Sequence, residues 1–322
     1  MKPKGIPPSA LKRLTTYSLK DRKSKVCLED FAKPWLPGNS LEIFLDSLPN
    51  LLGAKDFRSI VMAMLAARKS DKIIHWAMGA HVIKVGLNPV LIGLMKKGFI
   101  SALSLNGAGV IHDTELAMVG HTSEDVDQEL GTGAFGMCRE TAHFLNRAIK
   151  RGAENGMGLG EAVGEALLKA KFPFLSSSLL ATARRLEIPV TVHVAIGTDI
   201  IHLHPSMDAE ATGQATYRDF QTFCSMVRSL EQGVFINIGS AVILPEVFLK
   251  AVTLIRNLGY PLTDFTTVNM DFIHHYRPAT NIVRRPTREG GRGYYLIGHH
   301  ELMVPLLAAA MMEGWDRMTK KT

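Results

Sequence analysis

Six short apolar runs, each bounded by Gly, Pro, Asn or Asp, punctuate this chain at residues 73–78, 100–105, 190–196, 234–238, 265–268 and 294–297. A strand with one wet face alternates apolar and polar residues. These runs do not, so both of their faces must be covered. Between them lie stretches whose apolar residues recur at helical spacing, at about 87–97, 139–150, 159–170, 175–186, 217–230, 245–257 and 301–312. Two more precede the first run, carried by Leu41, Phe44, Leu45, Leu48 and Leu52 and then by Phe57, Ile60, Val61, Met64 and Leu65. Strands alternating with helices predict an α/β fold: a doubly wound, mostly parallel six-stranded sheet of Rossmann-like type.

The chain's 322 residues fit one such unit. We expect a basic N-terminal arm over 1–38, a single α/β domain over 39–314 and a basic tail over 315–322. Cys27, Cys138 and Cys224 are far apart and lack CxxC spacing, which fits a reducing cytoplasm better than a disulfide framework or a zinc site. No apolar h-region follows the basic start, and no apolar run approaches the roughly 20 residues that span a bilayer. The expectation is a cytoplasmic protein without a membrane partner. The net charge of +7 is partly in the ends, at Lys2, Lys4, Lys12, Arg13, Lys20, Lys25, Arg317, Lys320 and Lys321. Such ends are either solvated tails or polyanion-binding arms. No RNP, KH, zinc-finger or aromatic-interleaved motif supports nucleic acid as a partner. Residues 120–138 are acidic and then Gly-rich, the composition of a lid or of an ordinary surface connection.

In an open α/β sheet, ligands bind beyond the carboxyl ends of the strands. The residues there are Gly79-Ala80-His81; Asn106-Gly107-Ala108-Gly109, with His112 and Asp113; Gly197-Thr198-Asp199, with His202 and His204; Gly239-Ser240-Ala241; Asn269-Met270-Asp271; and Gly298-His299-His300. Small residues repeated at one edge let backbone amides approach a phosphate, and the acids and histidines can bind hydroxyls or move protons. A small-molecule pocket is therefore expected. The histidines lack HxxxH or HExxH spacing, so no metal site is assigned. No GxSxG elbow, P-loop or catalytic cysteine context is present.

Read in order, these segments resemble the deoxyhypusine synthase family. Residues 188–202 (IPVTVHVAIGTDIIH) resemble its strand-plus-Asp region, and residues 233–246 (GVFINIGSAVILPE) its triple-glycine strand and turn. Residues 106–113 (NGAGVIHD) resemble its threonine–alanine–glycine–glycine turn, and residues 295–307 (YLIGHHELMVPLL) its closing strand and helix. The resemblance covers roughly 40–312. It implies a homotetramer with sites at a dimer interface, NAD as cofactor, and transfer of an aminobutyl group from spermidine through a catalytic lysine. Some bacterial relatives make homospermidine by the same route. Carried onto this chain, it implies NAD contacts from Gly79, Ala80, His81, Asn106, Gly107, Ala108, Gly109, Asp113, Asp199, Gly239, Ser240, Ala241 and Asp271.

The chain departs from that pattern where the reaction would occur. In residues 277–286 (RPATNIVRRP), Pro286 falls at the lysine, Arg284 at a tryptophan and Thr280 at an acid, while Pro245 meets a family histidine. Proline has no amine, and arginine stays protonated and forms no imine. The expectation is an NAD-dependent enzyme acting on a non-polyamine, possibly anionic substrate held by Arg277, Arg284 and Arg285. Those arginines can equally pair with acids at a subunit interface. His193, Asp199 and His112 are the candidates for base or orienting acid. The alternatives are an aminobutyltransferase using Lys84 or Lys250, and a non-catalytic nucleotide-binding oligomer.

Overall fold

In a computed structural model, residues 5–320 are described. The expected charges at Lys2, Lys4 and Lys321 lie outside them. The six apolar runs form β1 (Ile74–Met78), β2 (Ala102–Asn106), β3 (Val190–His193), β4 (Val234–Ile238), β5 (Thr266–Asp271) and β6 (Arg292–Ile297). All neighbouring pairs are parallel, in the order β3-β2-β1-β4-β5-β6. The fold is thus a Rossmann-like α/β sheet. The chain winds outward from β1 to β3 and then returns to place β4 beside β1. Strand order therefore reverses between β1 and β4, where such sheets open their ligand crevice.

The longer helices are α1 (Leu41–Ser47), α2 (Leu52–Lys69), α3 (Asn88–Lys96), α4 (Gly107–Val119), α5 (Arg139–Glu154), α6 (Leu159–Lys169), α7 (Leu179–Arg185), α8 (Ala209–Arg228), α9 (Ile243–Asn257) and α10 (His300–Lys320). Strand alternation sorts the core into two layers. Ile74, Trp76 and Met78 of β1 join Ile60 and Met64 of α2 and Leu307 and Met311 of α10 on one face. Ala77 and Phe235 join Phe223 of α8 and Phe248 of α9 on the other, where Phe235 stacks on Phe248 at 3.9 Å.

That second face also carries a buried polar chain across three strands. His75 Nε2 lies 2.7 Å from Ser104 Oγ, Ser104 Oγ lies 2.7 Å from Thr191 Oγ1, and Thr191 Oγ1 lies 3.1 Å from His193 Nε2. Burial holds both imidazoles neutral, His75 with help from His193, pushing each pKa down to about 3.

Residues 315–320, expected as a tail, continue α10. Trp315 packs edge-on against Phe99 at 5.9 Å beneath the Arg68 guanidinium. The expected arm is exposed, with Tyr17, Leu19 and Leu28 all more than 70 % accessible, and its backbone ties to α1 through Lys33 N to Ser47 O. Among the described residues, no helix is long and apolar enough to cross a membrane.

The strand ends are in register. Met78 pairs with Leu105 and Ile238, and Ile238 with Met270. This alignment brings the turns that follow to a common edge.

Candidate functional site

At the reversal point the two glycine turns pack on each other. Gly79 N donates to Ile238 O at 2.9 Å, and a β-carbon on Gly79 would lie 2.1 Å from Gly239 O. Gly239 is itself left-handed at φ +63°, and a β-carbon there would meet His300 Cε1 at 2.8 Å. Backbone and ring contacts within the protein thus require glycine at both positions. Ala80 accepts Lys84 N at the start of the short helix His81–Lys84. Ser240 Oγ accepts Leu244 N at 3.3 Å, so the Ser240-Ala241 turn leads into the first turn of α9.

His300, the first residue of α10, has no accessible surface. Neither of its ring nitrogens makes a well-formed hydrogen bond; the Met270 carbonyl lies nearby. Burial lowers its basicity, opposed by Asp271. Its ring centre is 5.3 Å from that of His81, which is 5.7 Å from Phe272. Asp271 is buried at the end of β5; its Oδ1 accepts Phe272 N at 2.8 Å, and its Oδ2 stands 3.9 Å from His275 Nε2. The His300 ring is thus enclosed between His81, Phe272 and the Gly239 turn. The sequence places His300 after the sixth strand among the histidines expected at the pocket edge.

Over β2 and β3 the edge opens into a cavity of about 200 Å³, with Lys84, Ala108, His112, Glu115, Glu124 and Asp199 in its wall. Asn106 caps α4, its Oδ1 accepting Gly109 N at 3.0 Å. A β-carbon on Gly107 would lie 2.0 Å from Asp199 Oδ2, so Gly107 makes room for a carboxylate of the chain itself. Asp199 is 7 % accessible, and its Oδ2 lacks a well-formed hydrogen bond. Burial raises its pKa against the lowering effects of His202, the Thr198 hydroxyl and the Ala108 amide.

The same cavity favours the Nδ1–H tautomer of the neutral His112 ring. Burial works against charge on Glu115, but hydrogen bonds from His112, Thr122 and Thr141 prevail and hold its pKa below the usual range. An ionised carboxylate only accepts, so the single Thr122 hydroxyl proton goes to Glu115. The Thr122 oxygen must then accept from His112 Nδ1, 2.7 Å away. With Nδ1 protonated, Nε2 carries the free lone pair. The 120–138 segment supplies Thr122 and Glu124, and Glu124 Oε2 accepts Gly136 N at 2.8 Å. It forms one wall of the cavity.

Other expected site residues lie elsewhere. His193 is 4 % accessible, with its ring 5.1 Å from Phe223 in the core, and so faces away from the edge. Asp113 has no accessible surface. Its carboxylate accepts Asn88 Nδ2, Ser178 Oγ, Leu179 N and Leu180 N, which places it at the start of α7 rather than against a cofactor. Burial pushes its pKa up to about 6 against those four donors.

Arg277, Arg284 and Arg285 are all exposed. Arg277 Nε pairs with Glu246 at 2.8 Å, and Arg285 Nη1 donates to Asn281 at 2.9 Å. The structure therefore does not place these arginines around the cavity, and the motive for an anionic substrate is lost. Of the two lysine candidates, Lys84 reaches the cavity wall, whereas Lys250 pairs with Glu246 on an exposed helix face.

No protein-family model and no curated protein matches this chain. Solved structures do. AgrE, in a ternary complex with ornithine and NAD+, is similar at TM-score 0.51 and 17 % identity, over 83 % of this chain and 33 % of that one. A conserved LOR/SDH protein from Methanococcus maripaludis is similar at TM-score 0.50 and 16 % identity, over 82 % of this chain and 70 % of that one. A deoxyhypusine synthase from Entamoeba histolytica is similar at TM-score 0.50 and 12 % identity, over 86 % of this chain and 94 % of that one. This chain spans about a third of the AgrE chain. At these identities the likeness is one of fold.

Proposed function

We propose that this protein is an NAD-dependent enzyme that acts on a small molecule bearing an amine. The observation that carries the reading is the cavity beside α4. Three carboxylates, Glu115, Glu124 and Asp199, share it with Lys84 and with a histidine whose free nitrogen is set by a hydrogen-bond relay. The carboxylates suit an ammonium group. In this reading His112 takes a proton from it through Nε2, and the Thr122–Glu115 pair stabilises the imidazolium that results.

We assign a dinucleotide to the strand-reversal edge, where open parallel sheets bind ligands and where the Gly79 and Gly239 turns meet. Ala80, His81 and Ala241, which keep accessible surface in those turns, would meet it. When bound, NAD supplies a hydride acceptor. That AgrE was captured with ornithine and NAD+ on a similar fold supports the pairing of an amine with this cofactor. The exposed apolar residues of the N-terminal arm, such as Leu28 and Tyr17, support an oligomer. Calorimetry with NAD and NADH tests the cofactor assignment: micromolar binding is expected, and no heat with either form overturns it.

A second reading is favoured by the position of Lys84 in the same wall. There, the Lys84 amine would condense with a substrate carbonyl, releasing water and forming an imine. Borohydride reduction followed by mass spectrometry would leave a permanent adduct on Lys84 in that case and none in the first.

A further inference from the structure

The α4 helix presents one continuous stripe to open space, and that stripe changes character along its length. Ala108, Ile111, His112 and Glu115 line the cavity that holds Asp199. Glu115, Met118 and Val119 line a second, larger cavity of about 540 Å³, completed on its far side by Cys138 and Phe172. The spacing of three and four residues puts all of these on one helix face. Glu115, Ser123 and Glu124 belong to both cavities, so the two adjoin as an interrupted trough, with the Glu115 carboxylate held between them by Thr122 and Thr141. At 1.5 Å per residue, Ala108 to Val119 gives the trough a length of roughly 16 Å.

Its ends differ in chemistry. The amino-terminal end holds Asp199, more than nine-tenths buried, with one carboxylate oxygen lacking a well-formed hydrogen bond and turned toward Gly107. Charge persists to the middle at Glu115 and Glu124. Beyond them Met118, Val119 and Phe172 offer apolar surface, with Val119 half exposed, while His121, Glu140 and Thr141 supply the polar part of the same lining.

We propose that the second chamber is a substrate subsite, and that the ligand of this trough is an elongated amine: a cationic head in the Asp199 chamber and an unbranched apolar extension past Glu115 against Met118, Val119 and Phe172. The inference rests on the amine reading above and adds the shape and polarity of the remainder of the molecule. The apolar extension distinguishes it from a compact amino acid.

The test is calorimetric titration of the NAD-loaded protein with straight-chain primary amines from ethylamine to octylamine. Burial of each methylene in the second chamber should tighten binding about three- to fourfold until the chamber is filled. Met118→Trp narrows that chamber and should flatten the dependence on chain length. As a separate readout, heptylamine should slow alkylation of Cys138 by iodoacetamide, whereas ethylamine should not. If ethylamine binds but affinity is independent of length, the subsite is refuted while the amine reading stands. A length dependence that survives unchanged in Met118→Trp also refutes it, since the gain then arises elsewhere. If no amine of any length binds, the amine reading itself has failed and the subsite falls with it.

Discussion

Replacing Asp113 with Asn separates a structural carboxylate from a cofactor ligand. Four donors converge on its two oxygens. Oδ1 takes Asn88 Nδ2 at 2.9 Å and Leu179 N at 2.7 Å, while Oδ2 takes Ser178 Oγ at 2.6 Å and Leu180 N at 3.1 Å. An asparagine keeps one acceptor and turns an NH2 group toward the other pair. Ser178 can rotate its hydroxyl to accept, but a backbone N–H cannot, so at least one amide at the α7 start is left facing a donor. A buried unsatisfied group costs about 1–3 kcal/mol, and each lost bond to a charged acceptor about 1.5–3. The expected loss is therefore about 3 kcal/mol. Unfolding entropies per residue imply a fall in Tm of roughly 5 °C for a chain of this size. Thermal unfolding read alongside NADH titration measures both effects. The reasoning predicts a lower Tm with unchanged cofactor affinity. Unchanged Tm with weakened NADH binding would refute it and return Asp113 to the cofactor site.

Three further outcomes follow from the same contacts. His75 and His193 have folded pKa values depressed to about 3, so their contribution to stability is present above the unfolded value of 6.5 and is lost as pH falls from there toward 3. Asp113 and Asp219, raised by burial to about 6 and about 7, oppose this, since their contribution is lost as pH rises through those values. Urea melts at pH 6 and pH 4 should therefore show a smaller acid loss in His75→Gln than in the wild type; equal losses would contradict the assignment. Removing residues 315–322 should lower Tm by several degrees because Trp315 leaves Phe99 and Arg68, whereas a dispensable tail would leave Tm unchanged. Incubation with NAD, labelled spermidine and the translation factor whose lysine accepts the aminobutyl group in the deoxyhypusine synthase reaction should transfer no label, since Pro286, where that family's lysine would stand, is buried and offers only its carbonyl, to Arg256; robust labelling would refute this.

The sheet was legible because burial of both faces writes itself as unbroken apolar runs, and the expected run at 73–78 became Ile74–Met78. The third run was read too long. After His193 the chain leaves the sheet through Gly197 at φ +95°, and apolar character alone does not show where pairing stops. The start of α8 was missed because residues 209–216 (AEATGQAT) carry little apolar periodicity, although Asp208 caps them through Ala211 N. The C-terminal continuation of α10 was hidden by polar residues that pair on the surface, such as Arg317 with Glu42.

In the site, neighbours in sequence had opposite fates. His112 and Asp113 are adjacent on α4 but point about 100° apart, so one reaches the cavity and the other the α7 start. His193 was misplaced by strand alternation, which turns it toward Phe223. Glu115, Met118 and Val119 were findable from helical spacing once His112 was accepted as a wall residue. The full burial of His300 depends on what packs around it, and no local pattern carries that information.

The central claim is that a dinucleotide binds where β1 and β4 part. Its most direct test is a crystal structure of the protein soaked with NAD. The account predicts the cofactor across the Gly79 and Gly239 turns, with its reactive end turned toward the cavity of His112 and Asp199. NAD bound at another face, or absent from a crystal grown at millimolar cofactor, would contradict it.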